Sequence, residues 1–82
     1  MPDEPRTADG RVRKRSIVLN GHGTSISLED AFWDGARELA AARGMGFREL
    51  LEEIDAARGE ANLSSAIRVA VLAHFREQAR CG

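Results

Sequence analysis

A strand that turns directly into a helix limits this chain more than any other feature. Thr24-Ser25-Ile26-Ser27-Leu28 alternates, with Ile26 and Leu28 on one side and the two serines on the other. That is the period-2 signature of a half-buried strand. No linker follows. From Phe32 the pattern becomes helical, with Phe32, Ala36, Leu39 and Ala40 sharing one face. Gly44 stops that helix, and after Met45-Gly46 a second stripe opens with Phe47, Leu50, Leu51 and Ile54. So short a strand finds no partner inside this strand–helix–helix unit, and its backbone donors and acceptors must be satisfied somewhere. Two copies pairing antiparallel across a dimer would do so, with Ile26 and Leu28 packed on the helices and Ser25 and Ser27 facing out.

In this order and spacing the chain resembles the ribbon–helix–helix (MetJ/Arc-type) superfamily of DNA-binding dimers. RSIVLNGHGTSISLEDAFWDGARELAAARGMGF and the later NLSSAIRVAVL look like a group of small bacterial proteins of this type, and the likeness covers roughly residues 14 to 78. The resemblance implies a mainly α fold with a short β ribbon, built as an intertwined homodimer. It also implies a dimer core from Ile26, Leu28, Phe32, Trp33, Leu39, Leu50, Leu51, Ile54, Ile67 and Val71.

Size and cysteine usage agree with a dimer. Eighty-two residues make one small domain, and chains near this length usually need a metal, disulfides or a partner subunit to complete a core. Cys81 is the single cysteine, which excludes an internal disulfide and a Cys-rich zinc site. No apolar run has membrane-spanning length and no signal-peptide core is visible, so a cytoplasmic protein without membrane contact is expected.

The formal net charge is −1, but it is unevenly spread. Residues 11–28 carry Arg11, Arg13, Lys14 and Arg15 and no acid, whereas residues 29–60 carry nine acids and four arginines. A basic ribbon on an acidic helical body is the asymmetry expected if one side meets phosphate. The alternative is a solvated basic arm with no partner.

Residues 1–12 hold both prolines and few apolar groups, and read as a disordered tail before a domain over 13–80. Arg13–Asn20 is a second candidate strand, and the connection Asn20-Gly21-His22-Gly23 could close a hairpin with Thr24–Leu28, which would then also pair across the dimer. The other arrangement is an arm that orders on DNA. The hairpin is preferred, since Ile17, Val18 and Leu19 are costly to leave in water.

The first helix is expected over 29–43, with Ser27 and Asp30 as a capping box and Arg43 at its negative pole. Trp33 is expected at the dimer interface or against the third helix. The second helix is expected over 47–58, and a third, capped by Asn62 or Ser64, to about Ala79. Apolar residues run nearly all round the third helix, the mark of a buried one. It is an addition to the minimal two-helix unit, unless 64–75 is the second family helix and 47–58 an insertion.

The candidate contacts follow. In the resembled superfamily the outward ribbon positions enter the major groove, which places Ser25, Ser27 and Thr24 there, with Asn20 beside them. An ordinary exposed strand face is the other reading. Arg13, Lys14 and Arg15 are the candidates for phosphate. The start of the second helix, Gly46, Phe47 and Arg48, matches the place where the superfamily holds a phosphate on backbone N–H groups. Proteins of the resembled superfamily commonly carry a Ser or Thr where Gly46 stands, and here Glu49, Glu52, Glu53 and Asp55 put negative charge beyond it. His22 and His74 have no cluster of acids or cysteines at ligand spacing, so no metal is expected. No cofactor loop or catalytic constellation is present, and an enzyme is not expected.

A transcriptional regulator, such as a repressor, binding double-stranded DNA is the first functional reading. A protein–protein module, an antitoxin-like adaptor using the same dimer, is the second.

Overall fold

The computed structural model describes residues 11–81, with side chains to 80. The expected tail, apart from residues 11 and 12, and the side chain of Cys81 lie outside the described residues. Five elements follow in order: β1 (Val12–Leu19), β2 (His22–Glu29), α1 (Asp30–Arg43), α2 (Phe47–Ala57) and α3 (Leu63–Cys81).

β1 and β2 pair antiparallel over their full lengths, from Val12 opposite Glu29 to Leu19 opposite His22. The connection is two residues, Asn20 at φ 50° and Gly21 at φ 82°. Positive φ at both central positions is the turn whose twist matches paired strands, and Asn-Gly is the pair that adopts it most readily. This corrects the premise that Thr24–Leu28 must look beyond its own chain for a partner: β1 supplies one. The hairpin of the preferred arrangement is observed, with a shorter connection than expected, since His22 and Gly23 belong to β2.

Helix α1 starts one residue later than expected. Glu29 is its N-cap, without a side-chain capping bond, so the Ser27–Asp30 capping box does not form. Ser27 is still in β2, and the Asp30 carboxylate is turned towards Arg13 at 2.8 Å. At the other end Gly44 is left-handed, with φ 68° and ψ 31°. Its N–H bonds to Ala41 O and that of Met45 to Ala40 O, at 3.1 and 3.0 Å. This 6→1 and 5→2 pair satisfies the last carbonyls and turns the chain into α2. Arg58 holds the α2–α3 turn, its guanidinium reaching Asp55 at 2.7 Å and Ala61 O at 2.6 Å. The Asn62 side chain then accepts the Ser65 N–H at 3.3 Å, which makes Asn62 the cap of α3 and leaves Ser64 inside the helix.

The core lies between the inner face of the hairpin and the three helices. Leu19, Ile26, Leu28, Trp33, Leu39, Leu50, Leu51 and Ile67 are fully buried, and Val71 and Ala36 close the gaps between them. Phe32 and Ile54 pack at its margin. The residues expected in a dimer core therefore pack together within one protomer. α3 departs from expectation: Ile67 and Val71 face the core, but Val69 is 65% and Leu72 55% exposed. It is buried on one face, not all round. Where α3 crosses α1, a Cβ on Gly35 would stand 2.6 Å from Val71 Cγ1, so the close approach requires glycine.

Candidate nucleic-acid interface

Residues directly opposite in an antiparallel pair share a face, so the pairing sorts the hairpin side chains into two sets. Arg13/Leu28, Arg15/Ile26, Ile17/Thr24 and Leu19/His22 are on the inner side. Val12/Glu29, Lys14/Ser27, Ser16/Ser25 and Val18/Gly23 are on the outer side, where the carboxylate of Glu29, at the end of β2, is paired with Arg68. Ser25 and Ser27 thus point outward as expected, with Ser25 exposed and Ser27 half-buried. Thr24 is on the inner side, half-buried, and its hydroxyl donates to His22 O at 3.3 Å.

The three cations grouped by sequence are separated by this alternation. Arg13 forms a two-pronged contact with Asp30 at 2.8 and 3.4 Å, which raises its pKa above the ordinary arginine value. Arg15 stacks its guanidinium 5.1 Å from the centroid of the Trp33 ring. Lys14 alone of the three projects from the outer side, between Val12 and Ser16 and opposite Ser27. Trp33 lies under the start of the hairpin, 1% exposed, with its indole N–H donating to Arg13 O at 3.0 Å and its ring 6.1 Å from Phe47. It packs within its own chain.

At the start of α2, Gly46 and Arg48 are exposed and Phe47 is half-buried beneath the Arg37 guanidinium. The Gly46 N–H is already accepted by the Glu49 carboxylate at 3.2 Å. A phosphate here would compete with that carboxylate for the donors of the first turn.

The remaining acids of α2 are also engaged inside the chain. Glu52 accepts the Asn20 N–H at 3.0 Å, pinning the hairpin turn to α2. Glu53 pairs with Arg43 at 3.0 Å. Asp55 pairs with Arg58, which holds its pKa below the usual carboxylate range, with Asn20 and His22 adding to the effect. At the end of β2, the Glu29 carboxyl is lowered first by its own backbone N–H and then by Arg68, 3.0 Å away. Glu29, Glu52 and Glu53 thus tie elements together, and the outer hairpin side carries no acid between Val12 and Val18 or between Gly23 and Ser27.

Ser16 is the outward residue that sequence reasoning did not single out. Counting back from a two-residue Asn20-Gly21 turn pairs it with Ser25, so the signal was present once the turn length was fixed. Among the described residues no group of three or more His, Cys, Asp or Glu could hold a metal, and no helix is long and apolar enough to cross a membrane.

Residues 12–75 match the ribbon–helix–helix domain family. The chain belongs to that family. The match extends through most of α3, so the third helix lies within the family's own span. Ribbon–helix–helix proteins are typically DNA-binding transcription regulators, generally not enzymes, and typically bind DNA as dimers. A solved structure, that of an uncharacterized protein from Bordetella pertussis Tohama I, is similar to this chain at 40% identity and a TM-score of 0.73. The likeness covers 84% of this ribbon–helix–helix chain and 59% of that one. No curated protein matches the sequence.

Proposed function

We propose that this protein is a bacterial, cytoplasmic transcription regulator, acting as a repressor, that binds double-stranded DNA as a homodimer through the outer side of its hairpin. The observation that supports this most directly is the outer face itself. Lys14 stands opposite Ser27 and Ser16 opposite Ser25, while every large buried residue of the hairpin is on the other side. A two-stranded ribbon fits the major groove. Serine hydroxyls donate or accept to either base of a pair, so they supply shallow discrimination. Lys14 supplies the charge on that side, and Arg13 and Arg15 add to the local field from the flanks. The start of α2 has a secondary part, because Glu49 must yield its hydrogen bond before a phosphate takes it.

A gel-shift titration against duplex at low and physiological salt tests the reading. Binding should weaken steeply with salt, because neutralised phosphates release counterions. A protein that ignores duplex at both salts is not a DNA-binding regulator. In that event the adaptor reading, a protein–protein module on the same fold, takes its place; the occupied Gly46 N–H is the observation in its favour.

A further inference from the structure

Nothing within the protomer requires a glycine at position 23. Gly23 lies in β2 outside the set of positive-φ glycines, and a Cβ built on it would meet nothing within 4 Å. A glycine inside a strand weakens it, and often marks a place where a ligand approaches the backbone closely. Directly opposite stands Val18, 55% exposed on the outer side of the hairpin. Strand propensity alone does not account for this valine, because threonine suits an exposed strand as well. Beside the two lies a hollow of about 240 Å³, lined by Ser16, Ile17, Val18, Gly23, Thr24 and Ser25. Ser16 and Ser25, the next outward pair, bring hydroxyls to its edge. Val12, the other exposed valine of the hairpin, stands opposite Glu29 and not opposite a glycine.

We infer that the Val18 methyls and the hollow at Gly23 receive the C5-methyl group of a thymine, so that the turn end of the hairpin selects A·T pairs. The inference rests on the DNA reading above and names what that surface selects. In the major groove thymine alone among the four bases presents a methyl group, and apolar side chains recognise it by contact. Bringing that methyl against Val18 removes apolar surface of both from water. The missing side chain at Gly23 lets the edge of the ring approach the strand backbone. Ser16 or Ser25 can then donate to thymine O4 or accept from the adenine N6 amino group. Cytosine lacks the methyl and offers its N4 amino group, for which Val18 has no acceptor. Lys14 lies four residues back along β1, about 14 Å away at the rise of an antiparallel strand. Charge and methyl contact thus occupy separate stretches of one face.

Competition gel shifts with the full chain provide the test. The probes are duplexes of equal length, alternating d(A-T) and the same sequence with uracil in place of every thymine, which removes the methyl groups and nothing else. The wild type is expected to bind the thymine duplex more tightly, by about fourfold for each methyl group covered. Val18→Ser should lose that preference while binding the uracil duplex as before. Any difference in shape between the two duplexes is the same for both proteins, so the loss isolates the contact. Gly23→Gln puts a polar side chain into the hollow and should also abolish the preference. Both positions are exposed, so circular dichroism should show the fold kept. Equal binding of the two duplexes by the wild type, or a preference that persists in Val18→Ser, would overturn the inference and leave the DNA reading standing. A protein that shifts neither duplex overturns both.

Discussion

The Trp33 indole N–H and the Arg13 carbonyl meet at 3.0 Å, joining the first turn of α1 to the first residues of β1. This bond closes the open end of the hairpin, as Asn20 on Glu52 closes the turn end. Trp33→Phe keeps most of the apolar contact and removes the donor. It should cost about 1 kcal/mol, with the Arg13 carbonyl left to water. Trp33→Ala should cost about 3–5 kcal/mol through the cavity it opens. Urea unfolding midpoints separate the two.

Gly35 offers a second test of packing. Alanine is the better helix former by about 1 kcal/mol, yet its Cβ would meet Val71 Cγ1 at 2.6 Å. Valine is stiff at χ1 and cannot swing aside. Gly35→Ala should therefore destabilise by about 1–3 kcal/mol. In the double variant with Val71→Ala the loss should be smaller than the sum of the two single losses. Strict additivity in thermal or urea unfolding would show that the crossing has room to spare.

The two serine-bearing pairs of the outer hairpin side make a graded prediction. Lys14→Ala should lower duplex affinity and reduce the salt slope by about 1, with no change in unfolding midpoint. Arg13→Ala should instead loosen the hairpin by removing its two bonds to Asp30, while affecting DNA less. Equal loss of affinity from both would mean that the face assignment does not govern binding.

Acid should loosen the fold in a defined direction. The Glu29 and Asp55 carboxyls both have folded-state pKa values below their ordinary ones. A lowered carboxyl pKa means that the folded state binds fewer protons than the unfolded chain. Its contribution is present above the unfolded pKa and is lost as pH falls through the folded one. Thermal midpoints should therefore hold near neutrality and decline below about pH 4. Asp55→Asn should flatten that decline, since Arg58 is the largest cause of the Asp55 shift.

Much of this architecture was legible in the residues. Alternation in Thr24–Leu28, the Gly-rich connection after Leu19, Gly44 and Asn62 each act through local backbone chemistry and appear as a strand, a turn, a helix stop and a cap, although the turn takes only Asn20 and Gly21 and leaves His22 and Gly23 to β2. What escaped was decided by tertiary contact. Arg13, Lys14 and Arg15 look like one basic cluster in sequence, although strand periodicity alone sends Lys14 to the opposite side. Ser27 looked like a helix cap because the ladder that holds it in β2 depends on β1. The apolar girth of α3 was visible, but not that Ile67 and Val71, flanked by Leu63, Ala70 and Phe75, would face the core and leave Val69 and Leu72 in water.

The two-residue turn at Asn20-Gly21 also bears on how the protein is made. Closing so small a loop carries little entropic penalty, and hairpins of this kind zip within microseconds. Residues 12–29 can therefore find their register early, and the ladder is held once Leu19, Ile26 and Leu28 are covered by the helices. The outer hairpin side, with Lys14, Ser16, Ser25 and Ser27, is thus built from contacts that lie close together in one chain.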